Sequence, residues 1–168
     1  MTGSLQLRHP IHSPLINSVI QQAVLAAVLL FLWCCSSASA QIHTSTYPLK
    51  IYTPEGKEIM LNVELAATQE QKMRGLMYRE YIEESAGMLF LYSPPRNVSM
   101  WMKDTYIPLD MLFISEEGVV LEIHHNASPL SLTPITHAKP AAAVLEIAGG
   151  AAKRLGVVEG SRVEWHIE

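Results

Sequence analysis

From Tyr47 onward the chain is a succession of short apolar and polar alternations broken by glycine and proline, the period-two signature of strands. Leu49–Thr53 and Ile59–Leu65 flank the turn sequence Pro54-Glu55-Gly56 and predict a hairpin. In its second arm Leu61, Val63 and Leu65 alternate with Asn62 and Glu64, so Glu64 is expected to point to water. Asp110–Ser115 and Val119–His125 around Glu116-Glu117-Gly118 predict a second hairpin. Its first arm is unbroken apolar from Met111 to Ile114, the pattern of a strand covered on both faces, with the Asp110 carboxylate at its mouth. Val144–Ile147 and Arg162–Ile167 read as further strands, the last with Val163, Trp165 and Ile167 turned inward.

Helical signals are few. Thr68 followed by Gln71 fits a capping box and predicts a short helix over Gln69–Met77, with Met73, Leu76 and Met77 forming an apolar face against the sheet. Ala151–Leu155, after the break at Gly149-Gly150, has room for one or two turns. Ala127–Ala142, with Pro129, Pro134 and Pro140 and no sustained period, is expected to be a long surface connection. About eight strands and one or two short helices imply a mainly β fold, a compact antiparallel sandwich or barrel. Residues 41–46 read as a flexible tether and 47–168 as a single β-rich domain.

The densest chemistry lies in Gly87–Asp110, GMLFLYSPPRNVSMWMKDTYIPLD. Val98–Lys103 alternates like a strand, placing Met100 and Met102 on one side and Trp101 and Lys103 on the other. Pro94, Pro95 and Pro108 divide the stretch into extended pieces and argue against a helix.

Ahead of the strands, Ala23–Cys35 is an unbroken apolar run of 13 residues, followed by Ala38 and Ala40 in an A-x-A arrangement. This is the pattern of a secretory signal peptide over residues 1–40, cleaved after Ala40. A retained anchor needs about 20 apolar residues and must absorb Gln21 and Gln22. The expected protein is secreted or periplasmic, with no stable membrane insertion after cleavage. Both cysteines, Cys34 and Cys35, lie in the leader, so the mature chain carries no disulfide. Loss of residues 1–40 removes Arg8 and no acid, shifting the net charge from −4 to −5. An acidic chain of this kind argues against a nucleic-acid partner.

GLMYR at Gly75–Arg79, GMLF at Gly87–Phe90, WMKDT at Trp101–Thr105, IPLDM at Ile107–Met111 and VLEIAGG at Val144–Gly150 occur in an order that resembles the domain of unknown function 192 family. The resemblance spans roughly Val63 to Val163 and implies an exported prokaryotic protein of compact, jelly-roll-like β fold, with no established activity. Where that family often has asparagine this chain has Asp104, and where it often has proline-cysteine the chain has Pro129-Leu130.

Arg79, Lys103, Asp104, Asp110 and Glu146 are the charged residues inside these motifs. Clustered beside Trp101, they suit a binding or accessory module of the cell envelope that takes a small polar ligand or glycan, with the indole ring as a stacking platform. The same charges also suit a partly buried ion pair, Arg79 or Lys103 with Asp110 or Glu146, that fixes strand register. An envelope hydrolase is the alternative, with Asp110 and Glu146 as its carboxylate pair. Nothing after Ala40 matches a nucleophile elbow, an H-E-x-x-H zinc motif or a phosphate-cradling glycine loop, and no cofactor is indicated. A third reading is Cu(I) handling by the thioethers of Met73, Met77, Met88, Met100 and Met102. Methionine more often fills core gaps, and His124-His125 point to opposite strand faces, so only Met100 and Met102 remain weak metal candidates.

Overall fold

The structure, a computed structural model, describes residues 45–166. The expected leader, its cleavage point and Ile167 lie outside the described residues. The elements are β1 (Thr46–Tyr52), β2 (Glu58–Ala66), α1 (Gln69–Arg74), β3 (Ala86–Arg96), β4 (Ser99–Met100), β5 (Leu109–Ile114), β6 (Val120–Ala127), β7 (Ile135–Thr136), β8 (Ala141–Ala148), α2 (Ala151–Leu155) and β9 (Arg162–Trp165). Both expected hairpins form, β1–β2 and β5–β6.

Seven strands make one curled sheet in the order β6-β5-β8-β3-β2-β1-β9, while β4 and β7 pair separately. The curl brings the two edges together at one end: Val119 bridges Arg162, and the Val163 N–H donates to the Gly118 carbonyl at 2.7 Å. The result is a half-barrel with two short helices, as the strand-rich pattern implied. One pairing departs from an antiparallel scheme, since β2 and β3 run parallel. A parallel pair needs a crossover of a dozen residues or more. Residues 67–85 supply it, and α1 rides on it.

Strand alternation divides the interior into two cores. Leu49, Ile51, Leu61, Val63, Leu89, Leu112, Leu145 and Ile147 fill one face of the sheet. Met88, Phe90, Met111, Phe113 and Val144 face the other, where Met100 of β4 and Leu76, Met102 and Ile107 of the connecting segments cover them. With both faces covered, all six residues of β5 are buried.

The structure corrects the sequence reading in four places. The helix ends at Arg74, where Gly75 takes φ +46°; Met73 is 57 % exposed, and only Leu76 of the expected apolar face is buried. β3 runs through Pro94 and Pro95, where its register with β8 shifts between Leu91 and Arg96, an irregularity that tolerates residues lacking an N–H. The Ala127–Ala142 connection contains β7, which pairs with β4. Beyond Met100 there is a turn rather than a strand, with Asp104 at φ +53°, a conformation that Asn and Asp tolerate best among residues with a side chain. The division across that segment holds nonetheless: Met100 and Met102 are buried, Trp101 and Lys103 exposed.

Asp110 is fully buried and accepts three backbone hydrogen bonds. Its Oδ1 takes the N–H of Asn126 at 2.8 Å and of Gly150 at 2.9 Å, and its Oδ2 takes the N–H of Ala152 at 2.9 Å. The N-cap of α2 is Gly150, at φ +76° and without a side chain. The distant carboxylate therefore satisfies donors that an N-cap side chain would otherwise take. It also ties β5 to the end of β6 and to the β8–α2 turn. Asp110→Asn would set an amide donor against one of these N–H groups, and we expect a loss of roughly 2–4 kcal/mol in denaturant unfolding. A loss below about 0.5 kcal/mol would show that the three bonds contribute little net stability.

Candidate functional site

Glu146 lies on β8 between cross-strand partners Met88 of β3 and Met111 of β5, so its carboxyl enters the second, methionine-rich core. It is 4 % exposed and has no side-chain hydrogen bond or ion pair among the described residues. Burial alone lifts its pKa to about 8, so at neutral pH it is predominantly a neutral acid.

Above this carboxyl is a cavity of about 20 Å³, whose lining includes Gly75, Met77, Phe90, Met100, Trp101 and Lys103. That is room for about one water molecule. Gly75 keeps it open: a Cβ there would stand 3.3 Å from Phe90 Cζ and 3.9 Å from Glu146 Oε2. Lys72, Met73, Met100 and Trp101 also line a groove of about 190 Å³ that continues past Tyr92, Arg96 and Ser99. A larger hollow, about 340 Å³, lies elsewhere beside His125, Gly150, Lys153 and Val157, and no buried charged group lines it.

Cations gather around the cleft. Lys72 Nζ lies 4.6 Å and Arg96 Cζ 4.8 Å from the Tyr92 ring centroid, and Lys103 Nζ lies 5.5 Å from that of Trp101. Among the described residues, none of Lys72, Arg74, Arg96 and Lys103 forms an ion pair, although the chain has an excess of acids. Burial, then the neighbouring Arg96 charge, lowers the pKa of Lys72. The Tyr92 hydroxyl donates to Met100 Sδ at 3.6 Å, and burial holds its pKa up at about 12.

Of the residues singled out from the sequence, Trp101, Lys103, Glu146 and Met100 meet here. Arg79 does not line the cleft. It makes a bidentate pair with Glu64, 2.6 Å at each contact, so Glu64 is not simply solvated and Arg79 pairs with neither Asp110 nor Glu146. Asp104 lies in the neighbouring turn, where its Oδ2 accepts the Tyr78 hydroxyl at 3.3 Å. Asp110 registers with Ile147 and Met111 with Glu146, which places the two carboxyls on opposite faces of the sheet. They cannot act as the acid pair expected for a hydrolase. Met102 and Met88 pack in the core, whereas Met73, Met77 and Met100 line the cavity. Lys72, Arg74, Tyr92 and Arg96 escaped the sequence reading, since no local pattern reveals that a parallel crossover will bring α1 alongside the Trp101 turn.

The folded protein retains the Glu146 proton between about pH 4.5 and 8, where the unfolded chain has released it. Stability should therefore fall as pH rises through that window and level off above it. Glu146→Gln should flatten this slope and gain about 5 kcal/mol at high pH relative to low pH, measured by denaturant unfolding across the range. An unchanged slope would mean that Glu146 is already ionised in the folded state.

A family model described as "Uncharacterized ACR", the domain of unknown function 192, matches residues 50–165. A solved structure described as "a putative transcription regulator" from Sinorhizobium meliloti 1021 is 43 % identical at a TM-score of 0.73, covering 75 % of this chain and 98 % of its own. A protein of unknown function from Novosphingobium aromaticivorans DSM 12444 is 40 % identical at a TM-score of 0.69, covering 71 % and 85 %. No curated protein matches the sequence. With its motifs in order and the match extending from β1 to β9, the chain belongs to the domain of unknown function 192 family.

Proposed function

We propose that this protein is an exported, non-catalytic binding module that seats a small polar ligand in the cleft over Glu146. The observation that carries the reading is a nearly fully buried carboxyl with no partner of its own among the described residues, facing a cavity beneath an exposed tryptophan. Glu146 lines that cavity, where a water or a ligand atom can hydrogen-bond its carboxyl. Trp101, 47 % exposed, offers a ring face above it. Separation of Asp110 and Glu146 across the sheet removes the pair on which the hydrolase reading depended.

Three thioethers at the cavity keep a soft metal in view, but four cations around the cleft oppose a bound cation. A regulator that contacts DNA directly presents a basic face, and this chain has a net charge of −4. Export is supported by the apolar run before Ala40 and its A-x-A boundary.

A thermal-shift screen of sugars, small acids and Cu(I) should find a compound that stabilises the wild type. At a hundredfold excess over Kd the gain is about 2.7 kcal/mol, and Trp101→Ala should abolish it. No response to any compound, or an equal response in Trp101→Ala, would remove the cleft as a site. Amino-terminal sequencing of protein recovered outside the cytoplasm should begin at Gln41. An intact Met1 on cytoplasmic protein would overturn the export reading.

A further inference from the structure

The ligand's chemical class is written in the charge around the cleft, and this step rests on the binding reading above. We infer that the cleft takes an acidic sugar, carboxylated or sulfated, with its ring on Trp101, its anionic group among Lys72, Arg96 and Lys103, and a hydroxyl reaching Glu146.

Three independent features converge on that class. First, in an acidic protein these cations are left without carboxylate partners among the described residues, and two of them crowd one tyrosine ring. Lys72 and Arg96 repel each other there, and an anion placed between them relieves the repulsion. Second, the exposed Trp101 ring presents a flat apolar face, the surface that the C–H face of a sugar ring covers while its hydroxyls stay free to hydrogen-bond. Third, the groove and the cavity together are smaller than a drug-sized pocket of ~300–1,000 Å³, which fits one sugar unit or the end of a chain.

Glu146 completes the selection. The charged or titratable groups near its carboxyl are Lys72 and Arg74 from α1, Tyr92 and Arg96 from β3, and Lys103 from the turn before β5. None of these is an acid that ionises near neutrality. A protonated Glu146 can donate to a hydroxyl oxygen and accept from its hydrogen, and adds no negative charge to oppose the ligand's own. Once ionised it repels the anion. Affinity for an acidic sugar should consequently fall as pH rises through about 8, and Glu146→Gln should remove that dependence.

The test is a titration of the ¹⁵N-labelled full chain with glucuronic acid, glucose 6-sulfate and glucose, reading the Trp101 indole N–H by NMR. Either or both acidic sugars should shift that signal, with glucose at least about tenfold weaker. Lys72→Gln should weaken acidic-sugar binding about tenfold, and added salt should weaken it further. Binding of the carboxylated sugar alone, the sulfated sugar alone, or both supports the class and identifies the source of the anion. Equal binding of glucose, or acidic-sugar binding indifferent to Lys72→Gln and to salt, overturns the anionic assignment and leaves the cleft reading standing. If none of the three sugars shifts the indole signal, the sugar assignment falls, and the cleft reading is then decided by the wider thermal-shift screen. Because Lys72 and Trp101 reach the surface, Lys72→Gln and Trp101→Ala should fold, and an unchanged wild-type-like spectrum away from the cleft verifies this.

Discussion

Successive residues of a strand face opposite ways, and that one constraint decides what the two buried carboxyls of this protein do. Asp110 faces the aliphatic core, where three backbone N–H groups converge on it. Glu146, on the adjacent strand and one residue out of register, faces the methionine-rich core, where nothing among the described residues satisfies it. The first acid is consumed by the fold. The second is held neutral at the base of a cleft.

The cleft exists because the chain interrupts its antiparallel order once. Pairing β2 parallel to β3 forces the crossover of residues 67–85 over one end of the sheet, and α1 on that crossover supplies Lys72 and Arg74. The turn after β4 supplies Trp101 and Lys103 from the other side. Gly75, which ends the helix in a backbone conformation that side chains rarely adopt, also keeps a Cβ away from Phe90 and Glu146. Helix termination and cavity formation are thus one event.

Much of the fold was legible in the sequence because period-two alternation and glycine turns are local signals. The hairpins, the capping box at Thr68 and the buried β5 followed from them. The site was legible only in part. Trp101, Lys103 and Glu146 announced themselves as unusual residue types among apolar neighbours, but their separation from Arg79 and Asp110 depends on register and partner choice. The bidentate Arg79–Glu64 pair joins the crossover to β2, and no spacing rule predicts it. Lys72 and Arg96 carry no local signal in the sequence. Their meaning comes from sharing the Tyr92 ring, a contact made by tertiary structure alone.

The central claim is that Glu146 is a neutral acid in the folded protein, and a site-resolved ¹³C NMR titration of its side-chain carboxyl tests it most directly. The account predicts a midpoint near 8, displaced upward when an anionic ligand fills the cleft. A midpoint near 4.5 would mean that Glu146 is ionised and compensated, and the cleft would lose the feature on which its function rests.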